Sequence, residues 1–122
     1  FEAHGNGVAA LWEAMDHAVC SDMVTILDAK RGDIASTAEA YAAAAFDYLP
    51  ADALTVNPYL GEDAVQPFID AAVKHDGGLF VLVRTSNPGG GLFQNLLCDG
   101  KPLYRHVADA VARWNAPTVG AC

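Results

Sequence analysis

Asp28, Lys30 and Asp33 stand within one short stretch, Asp28-Ala29-Lys30-Arg31-Gly32-Asp33-Ile34-Ala35-Ser36-Thr37. An ammonium between two carboxylates keeps its proton, because opposite charges nearby favour its charged form. Such a lysine is a positioned proton donor. A carboxylate in the same pocket repels negative charge on a substrate or holds a hydroxyl. The plainer reading of the same charges is a surface salt-bridge cluster at a strand end, an arrangement that is common and contributes little.

The flanking residues say how the cluster would be held. Met23-Val24-Thr25-Ile26-Leu27 is a short apolar run, in part β-branched, and reads as a buried strand over 23–27. Strand period two puts Asp28 and Lys30 on one side. Gly32 permits a sharp turn, so Asp33 follows from another direction. Ser36-Thr37-Ala38-Glu39 fits a capping box opening a helix over 36–48. The alanines of that helix allow close approach to the sheet or to another subunit.

The rest of the chain alternates in the same way. Val8, Leu11, Trp12, Met15, Ala18 and Val19 recur at helical spacing, with Trp12 on the core side and His17 in solvent. Strands are expected at 53–56 and 79–83, and from Thr118 onward. Helices are expected over 62–75, with Pro67 in its early turns, and over 102–114. One helical turn fits within 92–98, and Asp99-Gly100 signals a turn. Phe1-Glu2 reads as the tail of a strand. The alternation implies βαβ units and a parallel sheet. Asp28, Asn57 and Ser86, just past three expected strands, follow one another at 29-residue intervals. That repeat fits a (β/α)₈ barrel or an open doubly wound sheet, and in either fold ligands bind at the carboxyl ends of the strands. No GxGxxG fingerprint is present, which argues against a classical dinucleotide site. Gly89-Gly90-Gly91 is read either as a flexible loop or as a loop covering a phosphate or base.

Composition narrows the classes further. The chain has 122 residues, enough for one modest domain over 1–122. A formal net charge of −8 argues against nucleic acid and anionic membrane surfaces as partners. Cys20, Cys98 and Cys122 are odd in number and lack CxxC spacing, which fits reduced thiols in a cytoplasmic protein. His4, His75 and His106 lack metal-ligand spacing and are expected on surfaces or loops. No apolar stretch approaches the roughly 18 residues that span a bilayer. The start at Phe1 and the stop at Cys122 suggest a segment of a longer protein.

The stretch Asp28-Ala29-Lys30-Arg31-Gly32-Asp33-Ile34, with Ser36-Thr37 and Tyr41-Ala42, resembles the signature of orotidine 5′-phosphate decarboxylase. Thr55-Val56-Asn57-Pro58-Tyr59-Leu60-Gly61 and Thr85-Ser86-Asn87-Pro88-Gly89 resemble its bacterial type 2 branch, as do Phe1-Glu2 and Val119-Gly120-Ala121. The resemblance covers essentially the whole chain. It implies a partial TIM barrel, from about the end of the second strand to the start of the sixth. Asp28, Lys30 and Asp33 match three members of a Lys-Asp-Lys-Asp tetrad whose first lysine would precede Phe1.

The resemblance also implies roles. Lys30 would donate the proton, and Asp28 would lie beside the substrate carboxylate. Asp33, with Ile34 and Thr37, would reach into the neighbouring subunit's site of a homodimer. Ser86 would contact the pyrimidine. The substrate would be orotidine 5′-monophosphate, converted to uridine 5′-monophosphate with no metal or organic cofactor. Two other readings stand beside this one. A related barrel enzyme could act on sugar phosphates, with the aspartates helping to hold Mg²⁺. Alternatively, the segment is a non-catalytic piece that only binds or dimerises.

Overall fold

The computed structural model describes residues 3–114 and 119–122. The expectations for Phe1-Glu2, Pro117 and Thr118 lie outside the described residues. Helix α1 spans Gly7–Cys20, strand β1 Ile26–Arg31 and helix α2 Ala35–Ala43, which continues as a wider π-helical turn over Ala44–Tyr48. Strand β2 is Ala53–Val56, α3 Glu62–Lys74 and β3 Gly78–Val81. A 3₁₀ turn at Pro88–Gly90 leads into the short α4, Gly91–Gln94. The two-residue strands β4, Leu97–Cys98, and β5, Lys101–Pro102, form a hairpin about Asp99-Gly100. Helix α5 is Leu103–Arg113 and strand β6 Val119–Ala121.

Strands β1, β2, β3 and β6 form one sheet in that order, all parallel. Leu54, Val56, Leu79 and Val81 point to the helical side and are essentially buried. There they meet Ala38, Ala42, Ala45 and Phe46, then Val65, Phe68, Ile69 and Ala72, and Val111 of α5. Fully burying a side chain of the size of Leu or Phe stabilises by roughly 1.5–3 kcal/mol, so this one-sided layer dominates the fold. The alanines of α2 are explained by it, because α2 packs on α3 as well as on the sheet.

Several boundaries differ from the sequence reading. β1 begins at Ile26 and runs through the charged residues to Arg31, rather than ending before them. Met23 and Val24 are exposed, and Thr25 is used in a clip. The Thr25 N–H and hydroxyl both donate to Asp52 Oδ2, at 2.7 and 2.9 Å, and the Asp52 N–H returns to Thr25 Oγ1 at 3.1 Å. This clip locks the amino ends of β1 and β2. The capping box does not form: α2 starts at Ala35 with Ile34 at its N-cap and no side-chain cap bond. In α1 only Gly7 and Met15 are buried, and Trp12 is 45% exposed rather than in the core. His17 is in solvent, as expected.

Candidate active site

The site is built on an irregularity in β1. Leu27 pairs with Leu54 and Arg31 with Val56. Asp28, Ala29 and Lys30 therefore stand opposite the single residue Thr55. A bulge of this kind bends the strand and re-aims its side chains. Alternation survives it: positions 26, 28 and 30 stay exposed while 27, 29 and 31 are half-buried. Lys30 takes φ +49°, the left-handed region. Outside glycine, the described residues with positive φ are Asp22, Lys30, Ala35, Asp76 and Asp99. Aspartate tolerates that region. Lysine and alanine do so at a cost of about 1 kcal/mol, and these two bracket the cluster.

The result is a compact polar knot at the carboxyl end of the sheet. The Lys30 ammonium donates to Asp28 Oδ1 at 2.6 Å. The Thr55 hydroxyl donates to the same oxygen at 2.9 Å. Thr55 Oγ1 in turn accepts the Lys30 N–H at 2.9 Å. Hydrogen bonds from Lys30, then from Thr55, hold the Asp28 carboxyl below its ordinary range, with burial opposing them only in part. The side chains of Lys30 and Asp28 are 50% and 63% exposed, so the pair contributes little to stability. A strained backbone beneath a weakly stabilising ion pair makes this end of the sheet the candidate site.

The other expected residues are arranged around this knot at the same end of the strands. Asp33 stands apart from it: its Oδ1 accepts the N–H of Ile34 at 2.8 Å. Ile34 is 60% exposed and Thr37 is exposed, both at the start of α2. Ser86 is exposed in the loop after β3. The structure thus brings Asp28 and Lys30 together and leaves Ile34, Thr37 and Ser86 exposed, with Asp33 half-buried beside them. Gly32 is needed for close approach rather than for a turn. A Cβ there would sit 3.2 Å from the Asn57 carbonyl oxygen and 3.3 Å from Asn57 Cβ. The turn itself is made at Ala35, φ +47°.

Two contributors were not singled out in the sequence reading. Thr55 was one, although a threonine inside an apolar strand, at an odd position between Leu54 and Val56, was a signal. Gln94 was the other, and it grips Thr85 from α4. Arg31 lies over the Tyr41 ring, its Cζ 4.8 Å from the centroid. His75 stacks on Phe46 and meets Asp47, and His106 meets the Cys98 carbonyl, so neither belongs to the site. Among the described residues, no group of three or more His, Cys, Asp or Glu gathers as a metal site.

A strained Asp-x-Lys pair on a parallel strand end, in a sheet of βα units, is the arrangement that the comparison with known proteins bears on. The family model described as orotidine 5′-phosphate decarboxylase / HUMPS family matches residues 1–120. The chain belongs to that family. An orotidine 5′-phosphate decarboxylase of Herpetosiphon aurantiacus is 50% identical over 121 residues, covering 95% of this chain and 43% of the relative. The decarboxylase of a Janthinobacterium species is 57% identical over 98 residues, 80% of this chain and 34% of its own length. A Leishmania donovani OMP decarboxylase structure superposes with a TM-score of 0.85 at 44% identity, covering 96% of this chain and 46% of that one. A Plasmodium berghei decarboxylase structure gives 0.87 at 26% identity, covering 98% and 40%. The chain therefore spans less than half the length of these relatives, and its sheet is a four-stranded part of a (β/α)₈ barrel.

Proposed function

We propose that this chain carries the proton-donor half of an orotidine 5′-phosphate decarboxylase site. The reaction is the loss of CO₂ from orotidine 5′-monophosphate to give uridine 5′-monophosphate in pyrimidine biosynthesis. The observation that carries the reading is the Lys30–Asp28 pair at 2.6 Å on the bulged end of β1, in a chain of this family. When the bond from C6 to the carboxylate breaks, its electron pair stays on C6 and CO₂ leaves. The Lys30 ammonium stabilises that developing charge and then transfers a proton from Nζ to C6. Asp28 lies beside the leaving carboxylate and holds Lys30 in place while it waits. Binding of the remote phosphate contributes transition-state stabilisation. The chemistry draws on no metal or organic cofactor.

Asp33, Ile34 and Thr37 are assigned to the neighbouring subunit's site in a homodimer. The exposure of Ile34 and Thr37 at the start of α2, and the use of Asp33 Oδ1 by the Ile34 N–H, support that assignment. Ser86 is assigned to the pyrimidine edge. A cytoplasmic location belongs to the same reading, supported by three free thiols at Cys20, Cys98 and Cys122. No helix among the described residues is long and apolar enough to cross a membrane.

The test is CO₂ release from orotidine 5′-monophosphate by the complete gene product, with and without a metal chelator. Release that persists with chelator is expected. No release, or release abolished by chelator, would transfer Asp28 and Asp33 to Mg²⁺ ligation in a sugar-phosphate enzyme.

A further inference from the structure

The loop after β3 is held from one residue. The Gln94 side-chain amide uses both of its ends on Thr85: Oε1 accepts the Thr85 N–H at 2.9 Å, and Nε2 donates to Thr85 Oγ1 at 2.8 Å. The same Oε1 accepts from Arg84 Nη1 at 3.3 Å, and Arg84 also donates to the Thr85 carbonyl. The Thr85 hydroxyl passes the constraint on, donating to Asn87 Oδ1 at 2.7 Å. Residues on both sides of Ser86 are therefore fixed, while Ser86 itself faces solvent.

At Gly90 the backbone passes too close to this clamp for a side chain to fit. A Cβ on Gly90 would lie 2.7 Å from Thr85 Oγ1, 3.1 Å from the Thr85 carbonyl oxygen and 3.2 Å from Gln94 Oε1. Gly90 is buried with φ −57°, so it is needed here for space rather than for conformational freedom. The loop runs over the surface and the Gln94 side chain is half-buried, so the clamp adds little to the core. Its effect is to set where Ser86 stands relative to the strand ends.

We infer that Gln94 is a positioning residue that presets Ser86 for the substrate's ring. The inference rests on the decarboxylase reading and adds a residue to it. A displaced Ser86 weakens contact with the pyrimidine but leaves recognition of the ribose phosphate untouched. The two halves of the ligand therefore separate this role from a general structural one.

The experiment uses the complete gene product and its Gln94→Leu, Gln94→Glu and Gly90→Ala variants. Inhibition constants are measured for uridine 5′-monophosphate and for ribose 5-phosphate, which lacks the ring, together with kcat and KM for orotidine 5′-monophosphate. Gln94→Leu is expected to weaken uridine 5′-monophosphate by about tenfold, the equivalent of one well-placed hydrogen bond, with ribose 5-phosphate within about twofold of wild type. KM is expected to rise more than kcat falls. Gln94→Glu keeps the acceptor for the Thr85 N–H and should recover part of the loss. Gly90→Ala, which pushes on the clamp from the other side, should show the same split. Unchanged nucleotide affinity, or nucleotide and ribose 5-phosphate affinities falling together, overturns the inference while the decarboxylase reading stands. Wild-type protein that neither binds uridine 5′-monophosphate nor releases CO₂ overturns both.

Discussion

Replacing Thr55 with valine removes one hydroxyl and almost no volume, yet it cuts the polar knot at its centre. In the native chain that hydroxyl donates to Asp28 at 2.9 Å and accepts the Lys30 N–H at 2.9 Å. Thr55 is only 8% exposed, so water replaces it poorly. The Lys30 N–H loses its partner, which costs about 1 kcal/mol of stability. The same N–H helps hold Lys30 at φ +49°, so relaxation of the bulge carries the ammonium away from its working place. A displacement on the order of 1 Å at a reacting group lowers rate by up to roughly 100-fold. We therefore expect kcat to fall about 10- to 100-fold in Thr55→Val of the complete gene product, with a small loss of thermal stability. Thr55→Ser, which restores the hydroxyl, should regain most of the rate. Steady-state kinetics with orotidine 5′-monophosphate and a thermal melt make the comparison. A valine variant with native kcat would refute the claim that Thr55 places Lys30, and equal losses in Val and Ser variants would trace the effect to packing.

Further outcomes follow from the same geometry. Lys30→Ala should lose several orders of magnitude in kcat while the melting temperature stays close to wild type, because the side chain is half exposed and outside the core. Turnover like wild type would remove the proton-donor role. Asp52→Ala, at the opposite end of the strands, should destabilise by about 1–3 kcal/mol in denaturant titration, since Thr25 loses two hydrogen bonds to it. Its kcat should be unchanged, and a large fall in kcat would contradict the division between a stabilising and a catalytic end of the sheet. Hydrogen bonds to Lys30 hold the Asp28 carboxyl below its ordinary value of 3.8. A group lowered in the folded state stabilises above its unfolded pKa, and that contribution is lost as pH falls through the folded one. An NMR titration of Asp28 should move upward toward the ordinary value in Lys30→Ala, and an unmoved titration would mean that the pair does not form in solution.

Much of this was legible along the chain because it depends on local period and on residue type. The alternation of apolar runs with helical stripes gave parallel βα units, and burial of Leu54, Val56, Leu79 and Val81 against α2 and α3 follows from it. The same period put Asp28 and Lys30 on one side, and they meet there. What escaped depended on partners distant in sequence. Where a strand starts is decided by its neighbours: just ahead of β1, Thr25 gives its N–H and hydroxyl to the Asp52 carboxylate, while its carbonyl accepts the Ala53 N–H at 3.0 Å. The capping box at Ser36 lost to a helix that begins one residue earlier, behind a positive-φ turn at Ala35. Trp12 matched a helical stripe, but a stripe is buried only if another element covers it, and α1 has little cover.

The candidate site divides along the same line. The types and spacing Asp-x-Lys-x-x-Asp are written in the chain, and with them the chemistry of a held, protonated amine. That three residues of β1 stand opposite Thr55 alone, that Lys30 is driven to a left-handed backbone, and that Gln94 closes on Thr85 are consequences of register and packing. Short-range sequence specifies which groups are present and which way neighbouring side chains point. Distances between strands depend on long-range pairing, and it is those distances that bring Lys30, Asp28 and Thr55 into one hydrogen-bonded group.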